Sequence, residues 1–239
     1  MTTACLEDRQ GIAPLAVPGD RRGGATRSIL ASVDGMRRLR MGSEDEMIAV
    51  SLGGEFTSDR FGPIISDLLR MHGIDRRVVT SPDLADAPQD AQRRDLLARY
   101  RGYGTDADDY LSRFPTHGVR WERVGISPDE LIRVRYINWS YWLEPSGGSR
   151  RPSDAAERIR AGIEAYGASN TGYLVMAERV AAGQVFAPLI LAEAHESQDL
   201  VVVEGHARLS AYALELHRLP DEIEVLVGSS AEIEHWPLY

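Results

Sequence analysis

Residues 200–214 read LVVVEGHARLSAYAL, in which four apolar residues lead into Glu204, Gly205 and His206 and then into a run with helical spacing. The pattern predicts a buried strand that passes directly into a helix. The first backbone N–H groups of a helix have no acceptor within it, and they favour an anion such as a phosphate. We call this strand-to-helix junction the corner and expect it to bind phosphate.

The side chains of the corner suit an anionic ligand. Gly205 has no Cβ and lets a phosphate approach the backbone, while the Arg208 guanidinium can hold two oxygens at once. His206 can donate a hydrogen bond to phosphate or accept a proton. The residues alone also leave a structural role open, in which His206 caps the helix and Arg208 pairs with Glu204 or with a surface carboxylate.

The composition excludes several kinds of site. The chain has 239 residues, a formal charge of −9, and 27 basic residues that are all arginine. Without lysine, a phosphate clamp must use arginine, histidine or backbone N–H groups. The single cysteine, Cys5, excludes an intramolecular disulfide and a cysteine-rich zinc site. The acidic balance makes nucleic acid an unfavourable partner.

The N-terminal part predicts a leader and then a small α/β region. No apolar run approaches the roughly 20 residues that span a bilayer, and no basic start precedes an apolar block, so we expect a cytoplasmic protein without membrane contact. Residues 1–43 predict a flexible leader whose arginine pairs are solvated. Residues 44–120 predict a strand at 47–52, a tight turn at Gly53-Gly54, a helix at 61–74, a strand at 75–80, and a helix that ends at Gly102 or Gly104. Asp106, Asp108 and Asp109 lack the spacing of a calcium loop, so we expect a helix start there and no metal site.

Residues 121–239 predict a second mixed α/β region that contains the corner. Its expected elements are a strand at 131–143, helices at 155–166 and 171–182, strands at 186–191 and 200–205, a helix at 206–217 and a strand at 222–228. The buried stripe of the first of these helices is expected at Ile159, Ile163 and Tyr166.

This order of elements, together with EGHARLSAYAL, resembles the ParB/sulfiredoxin superfamily. The resemblance implies an α/β core that binds ATP or another nucleoside triphosphate with Mg²⁺. It places Gly205, His206 and Arg208 at phosphate-contacting positions. No cysteine lies near Gly205 and no helix-turn-helix domain follows the last expected strand, so the small-molecule kinase type is closer than sulfiredoxin or chromosome-partitioning ParB.

Several carboxylates are candidates for orienting the acceptor hydroxyl. Glu204 comes first and Glu193 and Glu196, just before it, come next; by position in the kinase branch, the resemblance points to Glu144. A second phosphate loop is open at Ser146, Gly147 and Arg150, although a plain turn is equally consistent with this sequence. The aromatic residues Tyr136, Trp139, Tyr141 and Trp142 are expected to be core, with Trp139 or Trp142 the ligand contact if a base stacks there.

The expected function is therefore phosphate transfer from a nucleoside triphosphate to a small hydroxyl-bearing metabolite, or hydrolysis of the nucleotide, with a homodimer left open. The alternative is a nucleotide-binding regulatory or DNA-associated protein without chemistry. A nuclease is less favoured because the chain is acidic and offers no clustered metal carboxylates.

Overall fold

A five-stranded mixed sheet runs through the computed structural model, which describes residues 36–107, 109–194 and 199–239. The strands are β1 (Arg37–Met41), β2 (Arg120–Ile126), β3 (Leu189–Glu193), β4 (Val201–Glu204) and β5 (Ile223–Ser229). Their spatial order is β1-β2-β5-β3-β4. Only β3 and β5 are parallel; the other neighbours are antiparallel. The expected mixed α/β class is confirmed.

Helices cover both faces of the sheet. They are α1 (Glu44–Phe56), α2 (Gly62–Met71), α3 (Arg77–Thr80), α4 (Ala87–Arg101), α5 (Pro128–Leu131), α6 (Ser140–Leu143), α7 (Pro152–Arg160), α8 (Thr171–Ala181) and α9 (His206–Leu214), with 3₁₀ turns at Leu216–Arg218 and Ala231–His235. Alternate residues of β4 divide the core: Val201 and Val203 pack with α1, α2 and α4, whereas Val202 packs with α7, α8 and α9. This alternation is what a strand buried on both faces requires.

The strand predicted at residues 47–52 is wrong, because this segment lies inside α1. Met47, Ile48 and Leu52 are fully buried against the other helices and the sheet. A short apolar run has the same appearance in a buried strand and in a buried helix, so periodicity alone does not separate the two. The predicted turn at Gly53-Gly54 therefore continues α1, and the strand predicted at 75–80 is the short helix α3. Residues 44–101 are helical rather than α/β.

Two strands that carry charged residues were missed. β1 lies within the expected leader, and its arginines pair with carboxylates: Arg37 with Glu222, Arg38 with Glu122 and Arg40 with Glu46. β2 is buried along six of its seven residues although it contains Glu122 and Arg123. Arg123 is neutralised by Glu46 at 2.7 Å and by Glu224 at 2.9 Å. These pairings explain how charged residues enter the sheet.

The rest of the C-terminal region divides into confirmed and wrong predictions. The strand expected at 131–143 is instead α5, a loop and α6, and Arg135 alone forms a bridge, to Val201. α7 begins at Pro152 and ends at Arg160, so Ile163 and Tyr166 lie beyond it and are exposed. The expected elements α8, β3, β4, α9 and β5 are confirmed, with α9 ending at Leu214. The described ranges contain no helix with the length and apolar character that crossing a membrane requires.

Candidate functional site

The corner has the predicted form of a strand that enters a helix through a glycine. β4 ends at Glu204, α9 begins at His206, and Gly205 between them has φ = 100° and ψ = 23°. No side chain caps α9 through a hydrogen bond. A Cβ built on Gly205 would lie 2.5 Å from Leu189 Cδ2 and 3.1 Å from Arg208 Nη2. The fold itself therefore requires glycine here, because both the left-handed backbone and the packing exclude a side chain.

Arg208 is committed to groups of the fold. Its side chain is buried, Nη1 donates to the carbonyl oxygens of Ala187 and, at 3.0 Å, Pro188, and Nη2 forms an ion pair with Glu204. The guanidinium thus ties the corner to the segment that precedes β3. The structure shows the pairing with Glu204 that the sequence left open. A direct phosphate contact by Arg208 stays a prediction.

The ends of α1 and α4 meet the corner and bring a second ion pair with them. A Cβ built on Gly54 would lie 3.3 Å from Arg208 Nη2 and 3.5 Å from a Glu204 carboxylate oxygen, so α1 passes close to the first pair. Glu55 accepts hydrogen bonds from Arg101 Nη2 at 2.7 Å and from the Tyr100 hydroxyl at 3.1 Å. We call Glu55, Arg101, Glu204 and Arg208 the ion-pair cluster.

The Glu204 carboxylate in the ion-pair cluster is more basic than a free glutamate. Burial raises the pKa of the Glu204 carboxyl above its usual range; Arg208 opposes the shift, and the negative charge of Glu55 adds to it. A raised carboxyl pKa lies closer to neutral pH, so the group is better matched to proton transfer. Perturbation by burial and a specific like charge is typical of functional sites.

His206 lies behind the ion-pair cluster among aromatic rings. Its ring stacks on Trp142 at 4.7 Å between centroids, and its side of α9 also faces Tyr136. The Tyr110 hydroxyl donates to the Val203 carbonyl and lies 3.3 Å from His206 Nδ1. Burial, with the charges of Arg101 and Arg208, lowers the pKa of His206 to about 3. A neutral, packed imidazole at neutral pH favours a structural role over proton acceptance.

The aromatic residues expected at 136–142 divide between core and surface. Tyr136 is fully buried, and its hydroxyl shares a 2.7 Å hydrogen bond with Ser210. Trp142 is half-buried, whereas Trp139 is 38% exposed and lies 5.5 Å from the ring of Tyr110. Tyr141 stacks on Tyr166. Trp139 is therefore the member of this group with surface to offer a base.

The other predicted site residues lie in separate contacts. Glu144 is exposed, and its ion-pair partner is Arg158 of α7, at 3.9 Å, rather than a group of the corner. Glu193 accepts from Ser229 at 3.0 Å, and Glu196 lies outside the described residues, as does Cys5.

The loop at 146–150 is organised as a turn. The Ser146 hydroxyl donates to the carbonyls of Trp142 and Leu143 and accepts from the Arg150 N–H at 3.1 Å. Gly147 and Arg150 have left-handed backbone, with φ of 62° and 64°, and Arg150 Nε donates to the Tyr136 carbonyl at 2.7 Å. The Ser146 hydroxyl is thus used in hydrogen bonds within the loop. This favours the plain turn over a phosphate loop.

Sequence reasoning missed Glu55, Arg101, Tyr100 and Tyr110. One signal was available for Glu55, which stands in the last turn of α1, where no basic residue accompanies it. A carboxylate there opposes the helix dipole.

In the part of the chain that the structure describes, no group of three or more His, Cys, Asp or Glu side chains is arranged to hold a metal ion. Comparison with protein-family models, curated proteins and solved structures finds no match for this chain.

Proposed function

We propose that this chain binds a nucleoside triphosphate at the corner and transfers its terminal phosphoryl group to a small hydroxyl-bearing metabolite, or to water. The observation that carries the proposal is the meeting of an uncapped helix N-terminus with two carboxylates and two guanidinium groups in one partly buried cluster. The resemblance of EGHARLSAYAL to the ParB/sulfiredoxin superfamily supports the same assignment. Membership of that superfamily is part of the proposal.

The residues of the corner have distinct roles in this proposal. Backbone N–H groups of the first turn of α9 bind phosphate oxygens, since they have no intrahelical acceptor. Arg101 adds positive charge where the transferred phosphoryl group carries negative charge. Glu204, whose pKa burial raises, accepts the proton of the acceptor hydroxyl. Trp139 offers its exposed ring to the base.

The cluster also fits Mg²⁺ as a companion of the nucleotide. Glu55 and Glu204 are like charges close enough for one to raise the pKa of the other, and a divalent cation would relieve that repulsion. Mg²⁺ at phosphate sites is commonly held by one or two carboxylates plus phosphate oxygens and water. When bound, it would supply charge neutralisation to the phosphates; Glu55, once released from Arg101 and Tyr100, is the residue that would hold it.

Calorimetry and product analysis test the proposal. The protein is titrated with ATP, CTP, GTP and UTP in the presence of Mg²⁺, and ³¹P NMR then follows the nucleotide during incubation with a panel of hydroxyl-bearing metabolites. We expect binding of one nucleotide and formation of a phosphorylated product or free phosphate. Glu204→Gln should retain binding and lose turnover. Glu193→Gln is the matched control, because Glu193 is a half-buried strand carboxylate bonded to Ser229.

A second candidate function is nucleotide binding without chemistry, in a regulatory or DNA-associated protein. The internal partners of Arg208 and the low pKa of His206 favour it, because neither group is then available for catalysis. Saturating nucleotide binding with no turnover in any acceptor mixture would select this function. Absence of binding to all four nucleotides would remove both.

A further inference from the structure

Two hydrogen-bond donors in the last turn of α4 bind a carboxylate of the protein itself. Arg101 Nη2 donates to one oxygen of the Glu55 carboxylate at 2.7 Å, and the Tyr100 hydroxyl donates to the other at 3.1 Å. A phosphate or a ligand carboxylate presents the same pair of oxygens to such donors. A side chain of the protein itself therefore fills a position that suits an anionic ligand.

Aromatic rings hold the Arg101 guanidinium in place. Its Cζ atom lies 4.2 Å from the centroid of Tyr100, 4.5 Å from Phe61 and 5.4 Å from Tyr110. Cation–π contacts of this kind stabilise a partly desolvated cation and fix its orientation. This pair of donors is thus ordered before a ligand arrives, which lowers the entropic cost of binding.

Two neighbouring negative charges act against Glu55, although its carboxylate accepts hydrogen bonds from Tyr100 and Arg101. It stands at the negative end of the α1 dipole, and its charge is within electrostatic range of Glu204, another carboxylate. It is also half-buried, so water screens these repulsions incompletely. Residues whose charge opposes the local electrostatics in this way are expected at functional sites.

We infer that Tyr100 and Arg101 form the receptor for the terminal phosphate of the ligand, and that Glu55 is an internal competitor which this phosphate displaces. The inference rests on the proposed function, because it takes the arriving anion to be the phosphate chain of a nucleotide. Glu55 weakens binding in this arrangement, since the ligand must break its two hydrogen bonds before it can form its own. The site consequently rejects weakly charged anions and selects polyphosphates.

Calorimetric titration with inorganic tripolyphosphate and with ATP, both without Mg²⁺, tests the inference. Glu55→Gln keeps the shape of the side chain and removes its charge, so we expect it to tighten tripolyphosphate binding about tenfold. Arg101→Gln should weaken binding by at least about tenfold, and in the Arg101→Gln background Glu55→Gln should bring no gain. Tyr100→Phe removes only the hydroxyl and should weaken binding by about threefold to tenfold, which keeps the test decisive if Arg101→Gln fails to fold.

The matched control is Asp59→Asn, which changes the net charge by the same amount four residues further along. Asp59 is exposed, and at a Debye length of about 8 Å in physiological salt its influence should stay below about twofold. Equal effects of Glu55→Gln and Asp59→Asn would overturn the inference, because the effect would then be general electrostatics. Wild-type binding that neither Arg101→Gln nor Tyr100→Phe weakens would also overturn it.

The outcomes separate the receptor from the proposed function. If the wild type binds ATP but the Glu55 and Arg101 variants show no coupling, the receptor is wrong and the nucleotide site stands. A second outcome is that Glu55→Gln binds tripolyphosphate, the wild type does not, and adding Arg101→Gln to Glu55→Gln abolishes this binding. In that case the receptor stands and nucleotide binding by the native chain fails. No binding by any variant overturns both.

Discussion

Removal of the Arg208 guanidinium should destabilise the fold by about 3–5 kcal/mol, the range for loss of one partner from a buried ion pair. The side chains of Arg208 and Glu204 are only 9% and 14% exposed, so water does little to replace the missing partner. Arg208→Ala leaves the Glu204 carboxylate unpaired and deprives the Ala187 and Pro188 carbonyls of a donor. For a domain of this size, the loss corresponds to a melting temperature lowered by about 6–20 °C.

Urea unfolding and thermal melts measure the effect, with Arg99→Ala as the control. Arg99 is exposed and pairs with Asp95 one helical turn away, so its removal should leave the melting temperature unchanged. The double variant Glu204→Gln with Arg208→Ala should regain part of the stability, because the unpaired charge is then absent.

The pH dependence of the Arg208→Ala deficit follows from Glu204. Its pKa is raised in the folded protein by burial and rises further when Arg208 is removed, so the folded state takes up a proton more readily than the unfolded state. Stability is then fuller at low pH and is lost as the pH rises through the folded-state pKa. We expect the deficit to shrink as the pH falls below 7. A deficit no larger than that of Arg99→Ala would show that Arg208 is not held inside the fold, and would favour its predicted phosphate contact.

Other variants test neighbouring features. Burial lowers the pKa of His206 to about 3, so the neutral ring contributes stability that is present above about pH 6.5 and is lost toward pH 3. In urea titrations, the wild type should lose about 2 kcal/mol more than His206→Gln between pH 6.5 and 4.5. Gly205→Ala should cost about 2–4 kcal/mol in the same assay, since φ = 100° and the 2.5 Å approach to Leu189 exclude a methyl group; wild-type stability would contradict the geometry. Trp139→Ala should weaken ATP binding about tenfold and leave tripolyphosphate binding unchanged, and equal loss for both ligands would contradict base stacking. Ser146→Ala should cost about 1–3 kcal/mol without changing nucleotide affinity, whereas a selective loss of affinity would restore the phosphate loop.

The sequence predicted the corner because local signals there agree. Val201–Glu204 is apolar with a glycine immediately after it, and the helix that follows has a clear apolar stripe, so both elements and their junction are confirmed. The prediction of a strand at 47–52 is wrong for the opposite reason. An apolar run that is buried on all sides shows no periodicity that would separate a helix from a strand. β2 was missed because Glu122 and Arg123 obscure its apolar pattern, and the partners that these residues find on β1, α1 and β5 are distant in sequence.

The candidate site was predicted only on the C-terminal side. Glu204, Gly205, His206 and Arg208 are contiguous and stand out together, whereas Glu55 and Arg101 reach the corner from the ends of two helices. Tertiary packing alone brings these helices to β4, so no spacing rule in the sequence links them. The sequence predicted a glycine for phosphate approach, which stays a prediction. The packing against Leu189 adds a structural reason, so Gly205→Val should also disrupt the fold.

The position of β1 at the margin of the sheet bears on the solubility of shortened forms of the chain. β1 covers the backbone of β2, six of whose seven residues are buried. A chain that began at Glu44 would present β2 as an open edge, and unpaired strand edges recruit strands of other copies into aggregates. Among the described residues β1 lies at the margin of the sheet, and its three arginines, although ion-paired, are exposed charged groups of the kind that discourage edge pairing. These arginines thus act as gatekeepers against edge-to-edge association.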